Sequence, residues 1–236
     1  MKIAGLIKQS LVDYPGRIAA VLFTRGCNFR CPFCHNGHLV YRPGSAEKSL
    51  TMEEILPFLQ ERQGFLDAVV ISGGEPTLNE SLPDACRSIK DLGYLVKLDT
   101  NGTNPAMLEK LLAQGLLDYV AMDIKAPLDY RKYLRVCGKL SSEDFFNVRN
   151  AIHLLKNSSI KVEFRTTVVP SLHTETDIIN IACSIEGAEL YSLQQFRPEN
   201  TLDPELGKVA PYTKEEIESM AQQCRSYIKK VQVLNV

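Results

Sequence analysis

The sequence predicts an α/β fold, a partial TIM-like barrel of about six β/α units in a single domain, and three observations carry that expectation. From Ile18 onward, short runs rich in β-branched residues alternate with longer stretches of helical period, the pattern of βαβ units around a parallel sheet. The segments that carry chemical groups fall at the carboxyl ends of those runs, which is the catalytic face of parallel β/α barrels. The chain has 236 residues, whereas a full eight-unit barrel takes ~250. The expected division is an N-terminal extension with a β-turn over 1–17, a barrel core over 18–196, and a loop, helix and strand over 197–236.

The extension contains an extended run, Ile3–Gln9, joined through the turn sequence Asp13-Tyr14-Pro15-Gly16 to the first parallel strand, Ile18–Phe23. Further strands are expected at Ala68–Ser72, Leu95–Asp99, Tyr119–Ile124, Lys161–Val168 and Glu189–Phe196, with Val231–Val236 as a last candidate. Helix starts carry caps: Thr51 with Glu54 and Thr213 with Glu216 fit the capping box, and Asn104 before Pro105 fits a cap followed by a first-turn proline. Leu82, Ala85, Cys86, Ile89 and Leu92 repeat at helical spacing, as do Phe145, Val148, Ile152 and Leu155. On the fifth parallel strand Glu163, Arg165 and Thr167 share one face, opposite Val162, Phe164 and Thr166. Charges turned into a barrel are costly unless a ligand or an ion-pair partner meets them.

Composition excludes several classes. With 44% hydrophobic and 23% charged residues the chain is an ordinary globular protein. Its 27 basic and 28 acidic residues are interspersed, so no nucleic-acid partner is expected. The apolar run Ile3–Ile7 is too short for a secretory leader, and no stretch approaches a membrane span. Seven cysteines, three of them within eight residues, make a poor disulfide framework and a good metal-site signature. A reducing cytoplasm is the expected location.

That cluster is Gly26-Cys27-Asn28-Phe29-Arg30-Cys31-Pro32-Phe33-Cys34-His35-Asn36, a C-x3-C-x2-C spacing just after the first parallel strand. Thiolates are the ligands of iron–sulfur clusters. Three of them on a four-iron cube leave one iron open, and an open coordination position is where a substrate or cofactor binds. The alternative is a zinc site on Cys31 and Cys34 with His35 or His38, but closed zinc sites usually draw a second pair, and none recurs here. About four irons and four sulfides per chain, against one zinc and no sulfide, separates the two. Cys86 and Cys183 are expected as buried, inert thiols on helical stripes. Cys137 and Cys224 carry no assignment.

Three further motifs follow successive strands. Ser72-Gly73-Gly74-Glu75-Pro76 allows close approach of backbone to a ligand and supplies a carboxylate; alone it could be only a turn. Asp99-Thr100-Asn101-Gly102 is either an Asx-type turn or a binding segment, and Asp123-Ile124-Lys125 ends in a lysine that could simply be solvated.

The cysteine triplet, with an aromatic residue before its third member, resembles the radical S-adenosylmethionine superfamily, and the Gly-Gly-Glu-Pro turn is similar to that family's GGEP motif. The resemblance implies a [4Fe–4S] cluster on Cys27, Cys31 and Cys34, with S-adenosylmethionine on its open iron and reductive cleavage to methionine and a 5′-deoxyadenosyl radical. It implies cofactor contacts from Phe33, His35, Gly73, Gly74, Glu75, Asp99, Lys125 and Arg165, with the turn and its acid on the ammonium group. It also implies that Asp99, Thr100 and Asp123 can share a monovalent cation.

The run Lys8-Gln9-Ser10-Leu11-Val12-Asp13-Tyr14-Pro15-Gly16, the Cys-Pro-Phe-Cys-His-Asn segment, Gln194-Gln195-Phe196-Arg197-Pro198 and Leu202-Asp203-Pro204 resemble the activating proteins of anaerobic ribonucleoside-triphosphate reductase. This implies a glycyl-radical enzyme as partner and a reduced flavodoxin or ferredoxin type of electron donor. Where pyruvate formate-lyase activases place a histidine after the sixth strand, this chain has Phe196 or Arg197. The alternatives are activation of another glycyl-radical enzyme, or a small-molecule radical enzyme like 7-carboxy-7-deazaguanine synthase, whose match to the N-terminal turn is poorer. The expected rims of the site are the loop from Asn36 to Gly44 and the Arg197–Pro211 loop.

Overall fold

A computed structural model describes residues 1–40 and 49–235. Its strands are β1 (Ile3–Ser10), β2 (Ala19–Thr24), β3 (Ala68–Gly73), β4 (Leu95–Thr100), β5 (Tyr119–Asp123), β6 (Lys161–Val168), β7 (Leu190–Gln195) and β8 (Lys230–Leu234). The helices are α1 (Met52–Glu61), α2 (Leu82–Asp91), α3 (Pro105–Ala113), α4 (Tyr130–Cys137), α5 (Ser142–Lys156), α6 (Glu175–Ser184) and α7 (Lys214–Cys224). One sheet takes all the strands in sequence order; β1 is antiparallel to β2, and every later neighbour is parallel. Six β/α units therefore wind from β2 to α7 and end on β8. β8 and β1 are the two edges of the sheet, so the barrel is partial.

Local sequence explains the elements. The capping boxes at Thr51 and Thr213 form with both reciprocal hydrogen bonds, and Asn104 accepts from the Met107 N–H. Two more boxes, Ser141 with Asp144 and Thr174 with Asp177, start α5 and α6. The β5–β6 crossover carries two helices where periodicity predicts only the second. α4 is eight residues long with Tyr133, Val136 and Cys137 buried, too short a stripe to register as a repeat.

Strand alternation divides the core. Ala20 and Leu22 pack outward into the helix layer, while Ala19 and Val21 join Tyr14, Ala68, Val70, Tyr119 and Ala121 inside the barrel. Tyr14, from the β1–β2 turn, sits 5.5 Å from the Tyr119 ring and closes the amino-terminal end. Toward the carboxyl end the interior becomes charged, with Lys97, Asp99, Asp123, Glu163 and Arg165. Cys86, Cys137 and Cys224 are buried, but Cys183 is exposed, against expectation. The buried stripe of α6 is Ile178, Ile181 and Ala182, and the next residue along turns about 100° away from it.

Candidate active site

Every residue expected to hold a cluster, cofactor or cation lines one cavity of about 250 Å³ at the carboxyl ends of the strands. Cys27, Cys31, Cys34, Phe33 and His35 come from the loop after β2. Gly73, Gly74 and Glu75 follow β3, Asp99 and Thr100 end β4, and Asp123 and Lys125 end β5. Arg165 comes from β6 and Gln194 from β7. At the strand end where a histidine is missing, Gln194 is the residue that faces the cavity, and Phe196 is buried. Of the expected rims, residues 41–44 lie outside the described residues.

The cysteine loop is fixed by neighbours distant in sequence. The Arg30 N–H donates to the Cys137 carbonyl at 2.8 Å, the Gly26 N–H to Leu39 at 2.9 Å, and the Asp203 N–H to Pro32 at 2.8 Å. Arg30 Nη1 folds back to donate to the carbonyls of Cys27 and Phe29 at 2.6 and 2.7 Å. Asn28 Nδ2 donates to Thr103 Oγ1 at 3.0 Å and to Asp144 Oδ1 at 2.9 Å, and its Oδ1 accepts from Asn101 Nδ2 at 2.9 Å. Sequence reasoning gives Asn28, Thr103 and Asp144 no role, because each acts through partners more than 70 residues away.

The Gly-Gly-Glu turn straps onto the end of β2 and the start of the same loop. The Gly74 N–H donates to the Thr24 carbonyl at 2.9 Å and the Glu75 N–H to Gly26 at 2.7 Å. A Cβ on Gly74 would lie 1.9 Å from the Gly26 oxygen, and Gly73 holds a φ of +111°, so both positions require glycine. Glu75 is 1% exposed and its carboxylate accepts four protein hydrogen bonds. They come from Thr77 N–H (3.1 Å), Thr77 Oγ1 (2.6 Å), Thr100 Oγ1 (2.7 Å) and Asn101 N–H (2.7 Å). The acid expected to meet a cofactor ammonium thus ties the β3 and β4 turns together.

Charged side chains alternate across the interior. Lys97 Nζ lies 2.6 Å from Asp99 Oδ1, and Asp99 Oδ2 accepts from Ser72 Oγ at 3.0 Å and faces Arg165 Nη2 at 3.5 Å. Arg165 Nε donates to Asp123 Oδ1 at 2.9 Å, and Lys125 Nζ to Asp123 Oδ2 at 2.9 Å. Arg165 therefore pairs with these acids and not with Glu163, its neighbour two residues away. Glu163 accepts from Tyr119 Oη at 3.0 Å and from Ser192 Oγ. Burial would raise the Asp123 carboxyl, but Arg165 and Lys125 outweigh it and hold the group at about 2. Lys125 is anchored through its backbone: its N–H donates to Tyr133 Oη at 3.2 Å, and His173 Nε2 meets its carbonyl at 2.8 Å.

The donor set fits a thiolate-ligated cluster. All three thiols open onto one cavity, with the Lys125 ammonium among them, 5.8 Å from the Phe33 ring centroid. Burial pushes the Cys27 thiol up to about 11, with Glu75 adding to it, and pushes Cys31 up as well. A bound metal deprotonates a coordinating thiol outright, so coordination offsets that effect. Among the described residues no three His, Cys, Asp or Glu side chains converge as ligands for one ion. A cube with irons at separate corners gathers its thiolates from farther apart. Of the three residues expected to share a cation, Asp99 and Asp123 face basic side chains, and the Thr100 hydroxyl donates to Glu75 at 2.7 Å.

The sequence profile of the Radical SAM superfamily matches residues 21–181. A candidate glycyl-radical enzyme activating enzyme of Methanocaldococcus jannaschii is 36% identical over 238 residues, covering 99% of this chain and 96% of that protein. Pyruvate formate-lyase-activating enzyme of Clostridium pasteurianum is 32% identical over 205 residues, covering 83% and 82%. In fold, the chain is similar to SuiB of Streptococcus suis bound to precursor peptide SuiA, with a TM-score of 0.68, 13% identity, and 91% of this chain and 48% of that one covered. It is also similar to QueE of Escherichia coli, with a TM-score of 0.55, 15% identity, and 98% and 92% covered. The superfamily brings a [4Fe–4S] cluster and S-adenosylmethionine, and Cys27, Cys31 and Cys34 have the spacing that the cluster requires. The profile over most of the chain and the identity to these relatives show that the chain belongs to the Radical SAM superfamily and, within it, to the glycyl-radical enzyme activating enzymes.

Proposed function

We propose that this chain activates an anaerobic ribonucleoside-triphosphate reductase by abstracting hydrogen from one glycine of that partner. The observation that carries the reading is the contact of the Leu202-Asp203-Pro204 run with the cysteine loop. Asp203 bonds Pro32, and a Cβ placed on Gly37 would lie 3.0 Å from the Leu202 side chain. That run is one of those resembling reductase activases, and it lies beside the loop bearing the cluster cysteines, where a partner must approach.

In this reading Cys27, Cys31 and Cys34 hold the cluster, and Phe33, His35, Gly73, Gly74, Asp99, Lys125 and Arg165 surround S-adenosylmethionine. When bound, cluster and cofactor supply a 5′-deoxyadenosyl radical by reductive cleavage. The chain's own part is to orient and exclude. The Gly74 N–H is committed to the end of β2 and the Glu75 N–H to the start of the cysteine loop, so the turn offers carbonyl oxygens, the polarity an ammonium needs. Lys125 and Arg165 are cations for a carboxylate, each fixed by Asp123. The partner's glycine loop, inserted at the rim, would keep water from the radical, and glycine has no side chain to block its own approach. A reduced flavodoxin or ferredoxin supplies the electron. A reducing cytoplasm suits seven unpaired cysteines; among the described residues no helix is long and apolar enough to cross a membrane.

Electron paramagnetic resonance of the reduced, reconstituted protein with S-adenosylmethionine and the reductase tests the proposal. A glycyl doublet is expected, and it should vanish when the reductase glycine is replaced by alanine. No doublet with the reductase, but one with another glycyl-radical enzyme, would move the activity to that partner. Efficient turnover of a small molecule without any partner would overturn it.

A further inference from the structure

We propose that Lys97 is a resident substitute for a monovalent cation. Its ammonium and the Arg165 guanidinium together neutralise the strand-end acids Asp99 and Asp123, so cofactor binding in this chain requires neither potassium nor sodium. The inference rests on the cofactor occupying the cavity already described, and not on which glycyl-radical enzyme is the partner.

Lys97 stands two residues before Asp99 on β4, on the same inward face, and is 2% exposed. A lysine buried to that degree needs a partner. It has Asp99 at 2.6 Å and the Tyr119 ring, whose centroid is 5.7 Å away. Arg165 then spans from Asp99, at 3.5 Å, to Asp123, at 2.9 Å, and Lys125 takes the second Asp123 oxygen at 2.9 Å. Each acid thus has two cationic neighbours. Adding Glu163 below them, the layer holds three acids and three cations, so it is balanced as it stands.

A bound potassium or sodium ion would be a fourth positive charge set among three already present in the cavity wall, and like charges at such short range repel. Its oxygen ligands are also committed elsewhere. The Thr100 hydroxyl donates to Glu75 at 2.7 Å and accepts from the Gly102 N–H at 3.1 Å. The Asp99 oxygens are taken by Lys97, Ser72 and Arg165, and the Asp123 oxygens by Arg165 and Lys125. Removing the Lys97 charge alone would leave the layer one positive charge short, with one Asp99 oxygen released. That is the condition under which a small cation would enter.

The test compares salts of equal ionic strength: potassium, sodium and tetramethylammonium chloride, the last too large to enter. S-adenosylmethionine affinity of the anaerobically reconstituted parent should agree within about twofold in all three. Lys97→Met should bind about tenfold or more weakly in tetramethylammonium and recover in potassium or sodium. Its metal-free form should melt higher in one of those two salts than in tetramethylammonium, while the metal-free parent melts alike in all. A parent that loses affinity or melting temperature in tetramethylammonium overturns the proposal. So does a folded Lys97→Met protein whose weakened affinity, or unweakened affinity, ignores the salt, because that would make Lys97 only a packing element. If Lys97→Met does not fold, the parent and Lys97→Arg decide, since both must be indifferent to the cation. Failure to radicalise a reductase would leave all of these readouts unchanged.

Discussion

His173 is 1% exposed, and both ring nitrogens are engaged. Nδ1 accepts from the Val169 N–H at 3.1 Å, and Nε2 donates to the Lys125 carbonyl at 2.8 Å, an arrangement only the neutral ring can make. Burial holds its pKa below the usual 6.5, although the Lys125 carbonyl and Asp177 pull the other way. The sign follows. As pH falls through about 6.5 the unfolded chain takes a proton that the folded ring refuses, so this stability is present above that pH and is lost below it. The loss is ~1.4 kcal/mol per pH unit until the folded ring also protonates. Urea unfolding of the metal-free protein between about pH 7.5 and 5.5 should show this slope, and His173→Gln should remove one proton's worth of it; identical slopes would refute the assignment. No motif marks His173, because it acts on Lys125 from 48 residues away. The cluster cysteines were legible because their chemistry is written in spacing within one loop. Lys97 was within reach of the period-two argument that picked out Arg165, but a lone lysine in an apolar strand reads as an extended, solvated side chain. Glu75 was legible as a site residue and not in its bonding, since two of its four donors, Thr100 and Asn101, come from a turn that meets it only in the fold.

Strands and caps were legible in the sequence because they depend on local patterns, and the strand ends fall within one or two residues of expectation. The two unrecognised capping boxes carry Asp in place of the usual Glu or Gln at the third position, at Asp144 and Asp177. α4 was missed altogether, and its Cys137 carbonyl accepts from the Arg30 N–H of the cysteine loop. It ends on Gly138 in the left-handed region (φ +69°), and a Cβ there would lie 2.2 Å from the Arg30 carbonyl, in the middle of the cysteine loop. Gly115 follows α3 with a similar φ of +64° and nothing within 4 Å of the same added atom. Alanine at Gly115 should therefore cost only the left-handed strain, ~1–2 kcal/mol, and leave iron incorporation at the parent level. Gly138→Ala should cost ~2–5 kcal/mol, strain and overpacking together, and should lower the iron bound on reconstitution because the loop must move. Denaturant unfolding and iron analysis of the pair check this; equal iron content would mean that α4 does not brace the loop.

At the scale of the molecule the barrel separates its functions along its axis. The charged layer and the cavity occupy the carboxyl end, and the amino-terminal end is filled by small residues, Ala19, Ala68 and Ala121, under the Tyr14 plug. This polarity follows from parallel strands: their carboxyl ends all present loops to one side, so those loops are free to carry chemistry while the other end serves packing. The sequence order of the strands was legible from βα alternation, because each crossover returns the chain to the neighbouring position. The position of Tyr14 was not, since a turn residue in Asp-Tyr-Pro-Gly gives no sign of which way its ring points. The structure shows it 4% exposed against Tyr119, whose hydroxyl in turn donates to Glu163 at the lower edge of the charged layer. Tyr14→Ala would remove that plug and leave a cavity that small neighbours cannot fill, at a cost of ~3–5 kcal/mol. The cysteine loop makes its contacts at the other end, so the folded variant should still take up the parent's amount of iron and sulfide on anaerobic reconstitution. Tyr14→Phe, which keeps the ring, should unfold within about 1.5 kcal/mol of the parent. Denaturant unfolding measures the cost, and metal analysis of the same samples locates it. If Tyr14→Ala instead keeps full stability, the ring is not closing the barrel; if it loses the cluster while folded, the two ends of the barrel are coupled and the separation argued here fails.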